Sequence, residues 1–264
     1  MRITTSTIIA GAAIAASAAS GRAQYIDDHH TSPRNATVQA SGAKRLFISA
    51  EAGILKIEGR AGLGEVRVKG TARASKERHL EDIKLRATRE GDDIMVVVDI
   101  PDMDWNRDGD DNYRGLDLVI EVPNTLPIEI EDGSGEIEIR GVGSLEVTDG
   151  SGELEITDVG GPVRVTDGSG ELSIRGVKGN VTLRDGSGEI RVNDVTGDVV
   201  VDRDGSGEIS ATNVSGSVRV ENDGSGSIRV ADVGGDFIVE DDGSGGIRYD
   251  SVKGDVRIPS RKRR

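Results

Sequence analysis

The chain has 264 residues, a formal net charge of −14, no cysteine, 37 glycines and only 2% aromatic residues. This balance excludes disulfides, thiol catalysis and a cysteine-linked lipid anchor, and an acidic surface of this size is a poor partner for nucleic acid. Few aromatics and many glycines suit a thin aliphatic core with tight turns, in one elongated domain with a distinct N-terminal part.

Residues 1–23 read as a secretory signal peptide. Arg2 supplies the positive start, Ile8 to Ala19 is apolar and small, and Ala16-Ser17-Ala18 or Gly21-Arg22-Ala23 offers a cleavage site. The apolar stretch is shorter than the roughly 20 residues a membrane span needs. No later segment reads as a transmembrane span. Export to the periplasm, cell surface or extracellular space is the expectation, and loss of Arg2 and Arg22 would take the charge from −14 to −16.

Residues 24–40 (QYIDDHHTSPRNATVQA) have loop composition and are expected to form a flexible lead-in. His29 and His30 are adjacent and read as exposed loop histidines, with a metal pair as the competing reading; His79 is the only other histidine. Asn35-Ala36-Thr37 is a glycosylation sequon if the source glycosylates such sites.

Residues 41–131 read as an N-terminal cap. Alternation of Leu46, Ile48, Ile54, Val66 and Val68 predicts one or two degenerate rungs. A hairpin insert is predicted from Asp82 to Ile100, turning at Gly91-Asp92-Asp93, and Leu116 to Val122 reads as an apolar strand. Pro123 and Pro127 bracket a turn.

Between them lies the acidic loop DMDWNRDGDDNYRG, residues 102–115. Asp104, Asn106, Asp108 and Asp110, with Gly109, match the first half of a calcium-binding EF-hand loop. The acid at the twelfth position is missing, where Gly115 stands, and no helical pattern flanks the loop. Calcium coordination by these four residues and a plain solvated loop are the two readings. Trp105, the single tryptophan, would contact a carbohydrate or partner, or cover the end of the core.

Residues 132–258 repeat. D-G-S-G begins at Asp132, Asp149, Asp167, Asp185, Asp204, Asp223 and Asp242, a fixed self-similarity that signals a solenoid or array. In Asp149 to Thr166, Leu154 and Ile156 alternate with Glu153 and Glu155, then Asp158-Val159-Gly160-Gly161 supplies a turn, then Val163 and Val165 alternate around Arg164. Each rung of about 18 residues is therefore two short strands and two turns. Down the array the apolar positions form columns, including an all-valine column from Val142 to Val252. The expected fold is all-β: a single-stranded β-helix of seven such rungs, stacked about 4.8 Å apart. Side-by-side hairpins would leave seven faces uncovered. High charge with few aromatics also occurs in disordered chains, but columns this regular argue against that.

Residues 259–264, PSRKRR, form a basic tail. Pro259 and the positive cluster would blunt an open sheet edge; electrostatic contact with an anionic envelope surface is the alternative.

The D-G-S-G aspartates are expected to accept hydrogen bonds from backbone amides two residues on. Glu136, Glu153, Glu171, Glu189 and Glu208 would stand above one another beside them, relieved by Arg191, Arg229 and Arg248 or by bound cations. The nine-residue pattern of calcium-binding β-rolls is absent. No G-x-S-x-G, H-E-x-x-H or P-loop occurs, so no enzyme is expected; a polysaccharide-active site would have to sit near 71–115.

EAGILKIEG, VRVKGTAR, IKLRATREGDDIMVVVDIP and LDLVIEVPNTLPIEIEDGSGEIEI, with the repeats that follow, resemble a bacterial family of candidate adhesins, β-helical domains of unknown function. The resemblance covers residues 41–258 and implies the fold without transferring any functional residue. The expectation is an exported structural or adhesive element of the cell envelope that contacts an envelope polymer or protein. A calcium-dependent binding module is the alternative, and a polysaccharide-active enzyme comes third.

Overall fold

The structure is a computed structural model that describes residues 29–101 and 113–260. The signal-peptide residues 1–23, the loop residues 102–112 and residues 261–264 of the tail lie outside them.

Two eleven-stranded sheets face each other across one narrow core. The N-terminal part contributes β1 (His30–Gln39), β2 (Arg45–Ser49), β3 (Ala52–Arg60), β4 (Glu65–Ala74), β5 (Lys84–Glu90), β6 (Asp93–Asp99), β7 (Arg114–Pro123) and β8 (Ile128–Asp132). The first sheet then takes the first strand of each rung: β9 (Ser134–Arg140), β11 (Gly152–Val159), β13 (Gly170–Val177), β15 (Gly188–Val195), β17 (Gly207–Val214), β19 (Gly226–Val233) and β21 (Gly245–Val252). The second sheet takes the second strands: β10 (Leu145–Asp149), β12 (Val163–Asp167), β14 (Val181–Asp185), β16 (Val199–Asp204), β18 (Val218–Asp223), β20 (Phe237–Asp242) and β22 (Val256–Arg257). Among the described residues there is no α-helix, only a 3₁₀ turn at Glu77–His79. The expected β-solenoid is the fold.

Within the rungs every strand pairs in parallel with its counterpart one rung away, and like residues stand over like. Leu154 pairs with Ile137 and Leu172, and Ile156 with Ile139 and Ile174. These side chains are 0–1% exposed, as are Val159, Val177, Val195 and Val214 of the valine column. The valine column depends on a backbone device. In each rung the residue before it sits in the left-handed region: Asp158 (φ 57°), Asp194 (φ 59°), Asn213 (φ 57°), Asp232 (φ 54°) and Ser251 (φ 53°), with Gly141 and Gly176 at the same place in two others. One left-handed residue breaks the alternation, so Ile156 and Val159, three apart, both point inward.

The N-terminal cap departs from chain order. β3 lies between β9 and β7, and β2 between β8 and β6. The rung at residues 45–60 is thus inserted between the one at 128–140 and the strands β6 and β7, which come later in sequence than 45–60. The hairpin β5–β6 closes one sheet, and β4 and β1, both antiparallel, close the other. Residues 30–39, read from composition as part of a flexible lead-in, are instead the edge strand β1, paired residue for residue with β4. Loop-like residues such as Pro33 are tolerated there because one side of an edge strand needs no partner.

Asn213→Val should cost about 1–2 kcal/mol in urea unfolding, because a β-branched residue resists a left-handed conformation, while Asn213→Gly should be near neutral. Gly188, at φ 148°, has Gly170 O only 1.7 Å from where a Cβ would stand. Gly188→Ala should therefore cost more than about 3 kcal/mol by the same measurement.

Candidate functional site

The chemistry-bearing residues of the rungs fall into two columns, one inside the solenoid and one outside. The inside column consists of the D-G-S-G aspartates. Asp132, Asp149, Asp167, Asp185, Asp204, Asp223 and Asp242 pair in unbroken register along the second sheet. In β12, Val163, Val165 and Asp167 are all buried and Arg164 and Thr166 exposed, so the aspartate takes the third inward position of the strand. Asp149, Asp167, Asp185, Asp204 and Asp223 are 1–4% exposed.

This differs from the expected turn capping. Ser169 N donates to Asp167 Oδ1 at 3.2 Å, as a capping aspartate requires. Elsewhere both carboxylate oxygens of Asp149, Asp185, Asp204 and Asp223, and one each of Asp132, Asp167 and Asp242, lack a hydrogen bond of ordinary geometry among the described residues, although the Ser151 and Ser225 amides still act to lower the Asp149 and Asp223 carboxyls. The corner amides are committed to the rung ladder: Gly150 N donates to Asp132 O and Gly168 N to Asp149 O.

Burial and mutual repulsion act on the column together. Loss of water raises the Asp132 carboxyl to about 7 and Asp204 to about 7, helped by the charge of Asp149 on the first and of Asp185 and Asp223 on the second. Asp149 and Asp185 are raised to about 6 for the same two reasons, and burial also raises Asp167 and Asp223. The column ends at the N-terminal side beneath Ala50, the residue after β2, which packs against the core.

The outside column is the glutamates. Glu136, Glu153, Glu171 and Glu189 stack in register on the first sheet, facing solvent, while Ser227 and Gly246 take the position in later rungs. Arg191 bridges Glu171 and Glu189, Arg229 pairs with Glu208, and Lys56 Nζ sits 2.9 Å from Glu138 and 3.8 Å from Glu136. Pairing with basic side chains therefore relieves this column. The aspartates point inward from the second sheet, and none of these basic side chains pairs with them.

Two hollows remain. A furrow of about 460 Å³ crosses five neighbouring strands of the second sheet, β2, β8, β10, β12 and β14, past Arg45, Glu129, Glu146, Arg164 and Thr182. Arg45 there bridges Glu129 at 2.6 Å and Asp93 at 2.7 Å. A second hollow of about 390 Å³ lies at the N-terminal part, walled by His29, Ile54, Arg73, Tyr113, Asp117 and Glu136. Its polar groups are bound to one another: Arg73 Nε lies 2.5 Å from Asp117, which also accepts from Ile54 N, and the His29 and Tyr113 rings are 4.7 Å apart.

His29 lies on the Tyr113 ring, and His79 is buried with Nδ1 3.5 Å from Asp82. Asp104, Asn106, Asp108, Asp110 and Trp105 fall outside the described residues. Among the described residues, no group of three or more histidine, aspartate or glutamate side chains forms a metal-holding cluster, and no helix is long and apolar enough to cross a membrane.

The burial of the aspartates left a trace in the alternation of the shorter rungs, where V-x-V-x-D puts Asp in phase with two inward valines. From β16 onward an extra residue hides it. The register shifts past Leu183, Arg184 pairs with Arg203, and Asp185 again meets Asp204. The bulge absorbs the nineteenth residue of the rung and returns the aspartate to the inside.

A family model described as Toastrack DUF4097 matches residues 65–264. No curated protein matches. Among solved structures, a candidate cell adhesion protein from Clostridium sporogenes shares 10% identity over 86% of this chain and 98% of its own, with a TM-score of 0.32. A candidate adhesin from Bacteroides fragilis shares 12% over 86% and 96%, at 0.39. A candidate lipid binding protein from Parabacteroides distasonis shares 14% over 86% and 97%, at 0.42.

The raised aspartates fix the sign of the pH dependence. The folded state holds protons that the unfolded state, with aspartates near 3.8, has released; stability is full at low pH and is lost as pH rises through about 6–7. In chelator, urea unfolding of the full chain should show a loss of at least about 2 kcal/mol between pH 5 and pH 8. Asp204→Asn should flatten that profile and raise stability at pH 8 by about 1 kcal/mol.

Proposed function

Since the chain belongs to the Toastrack DUF4097 family, we propose that it is an exported, non-catalytic rod that makes extended contacts at the cell envelope. The observation that carries this reading is the furrow on the second sheet. It runs across successive strands β8, β10, β12 and β14 and presents acidic and basic side chains at the rung repeat. A groove along the axis of a repeat protein suits a long polymer or an extended protein segment more than one small molecule. The names of adhesion proteins among the structural relatives agree with it and add no residue-level support. The signal-like residues 1–23 supply the route to the envelope.

Two measurements test the proposal. Fractionation of cells expressing the tagged full chain should place it in the periplasm or at the surface; retention in the cytosol would refute the envelope reading. The purified chain should co-sediment with isolated envelope polymer or with envelope protein fractions, and Glu146→Ala/Arg164→Ala should weaken that binding at least about tenfold, since both side chains line the furrow. Undiminished binding by the double variant would move the contact off this face.

A further inference from the structure

We infer that the buried aspartate column is a cation-binding line, and that its ligand is a divalent ion of calcium's size held between successive rungs. The inference is independent of the surface contact proposed above.

Three features of the column converge. The first is the absence of any counter-charge. Among the described residues no lysine, arginine or histidine forms an ion pair with any of the seven aspartates, although the outer surface is laced with such pairs. The second is burial without partners. Asp149, Asp185, Asp204 and Asp223 are at least 96% buried, and both oxygens of each lack a hydrogen bond of ordinary geometry. Carboxylates so placed are strongly destabilising unless they take up protons or, above about pH 7, a cation joins them.

The third is spacing. In-register parallel strands lie about 4.7–4.9 Å apart; side chains sharing one rotamer would hold like carboxylate oxygens at about that spacing, and adjacent carboxyls lie within hydrogen-bonding reach of one another. An ion midway between two of them is about 2.4 Å from each, inside the 2.3–2.6 Å range of calcium–oxygen bonds and beyond the 2.0–2.1 Å of magnesium.

Each ion would take two carboxylates, which accords with the lack of any three-residue acidic cluster. Further oxygens come from the corner carbonyls. Asp149 O, for example, accepts from Gly168 N at 3.0 Å and retains a second lone pair. An ion in every second gap neutralises the pair it bridges, so the column takes about three. The way in is at the C-terminal end. There a hollow of about 530 Å³ is lined by Asp241, Asp242, Gly243 and Ser244, and Asp242, the last member of the column, is partly exposed.

The test is thermal unfolding of the full chain at pH 8 in chelator and in calcium, magnesium or sodium chloride, with equilibrium dialysis of calcium to count ions. Calcium should raise Tm saturably by at least about 5 °C, with magnesium and sodium giving less than half of that. Asp185→Asn/Asp204→Asn should abolish most of the rise while remaining at least as stable as the parent chain in chelator, which shows that it folds. Asp104→Ala/Asp108→Ala should keep the rise, which separates the column from the acidic loop. A calcium response that survives in the Asp185/Asp204 variant, or disappears in the Asp104/Asp108 variant, overturns the inference. So does a chain that takes up no calcium and responds only to protons.

Discussion

In a solenoid stacked in parallel register, every residue meets a copy of itself one strand away. For Ile, Leu and Val this is favourable, because each added rung buries the face of the last and costs no new kind of contact. The same rule is unforgiving elsewhere. Glycine at the corner stacks so closely on glycine that there is no room for a side chain in any rung. An acid at an inward position faces another acid above and below. The columns of this protein are one constraint answered three ways: apolar columns that stabilise, glycine columns that permit, and an acidic column that opposes the fold unless its charge is met.

Much of this architecture was legible. The D-G-S-G spacing and the columns of Ile137 to Ile228 and Val142 to Val233 fixed the number of strands per rung and most of the core, because period-two alternation and self-similarity are local signals. The inward turn of the aspartates was visible only in part. It is written in the phase of Val163, Val165 and Asp167, and the bulge in β16 erases that phase from the longer rungs. Aspartate in a glycine-rich turn also has an ordinary capping role, which closes to a full hydrogen bond at Asp167 and is approached at Asp149 and Asp223. The outward glutamates were placed correctly relative to one another, but that they stand on one sheet and the aspartates on the other is a property of three-dimensional closure.

The N-terminal third was legible as strands and opaque as an arrangement. The hairpin around Gly91 and the apolar strand ending at Pro123 follow from local pattern. That β2 and β3 slide between elements encoded some 40 to 80 residues later does not, since nothing in a strand's own sequence names its neighbour. Residues 30–39 show the same limit from the other side. Their composition is that of a loop, and they become a strand because β4 offers an unpaired edge.

The inserted rung at residues 45–60 also sets an order of events. Its two neighbours in space, β8–β9 on one side and β6–β7 on the other, are both made after it. During synthesis one face of this segment waits for β6 and β7 and the other stays open until the ribosome has passed residue 140, whereas each D-G-S-G rung can dock on the one just completed. Contacts of such long sequence separation close slowly, so the rung at 45–60 is completed late, after locally encoded pairs such as the β5–β6 hairpin. A rung whose neighbours are encoded downstream ties completion of the N-terminal part to completion of the first D-G-S-G rung.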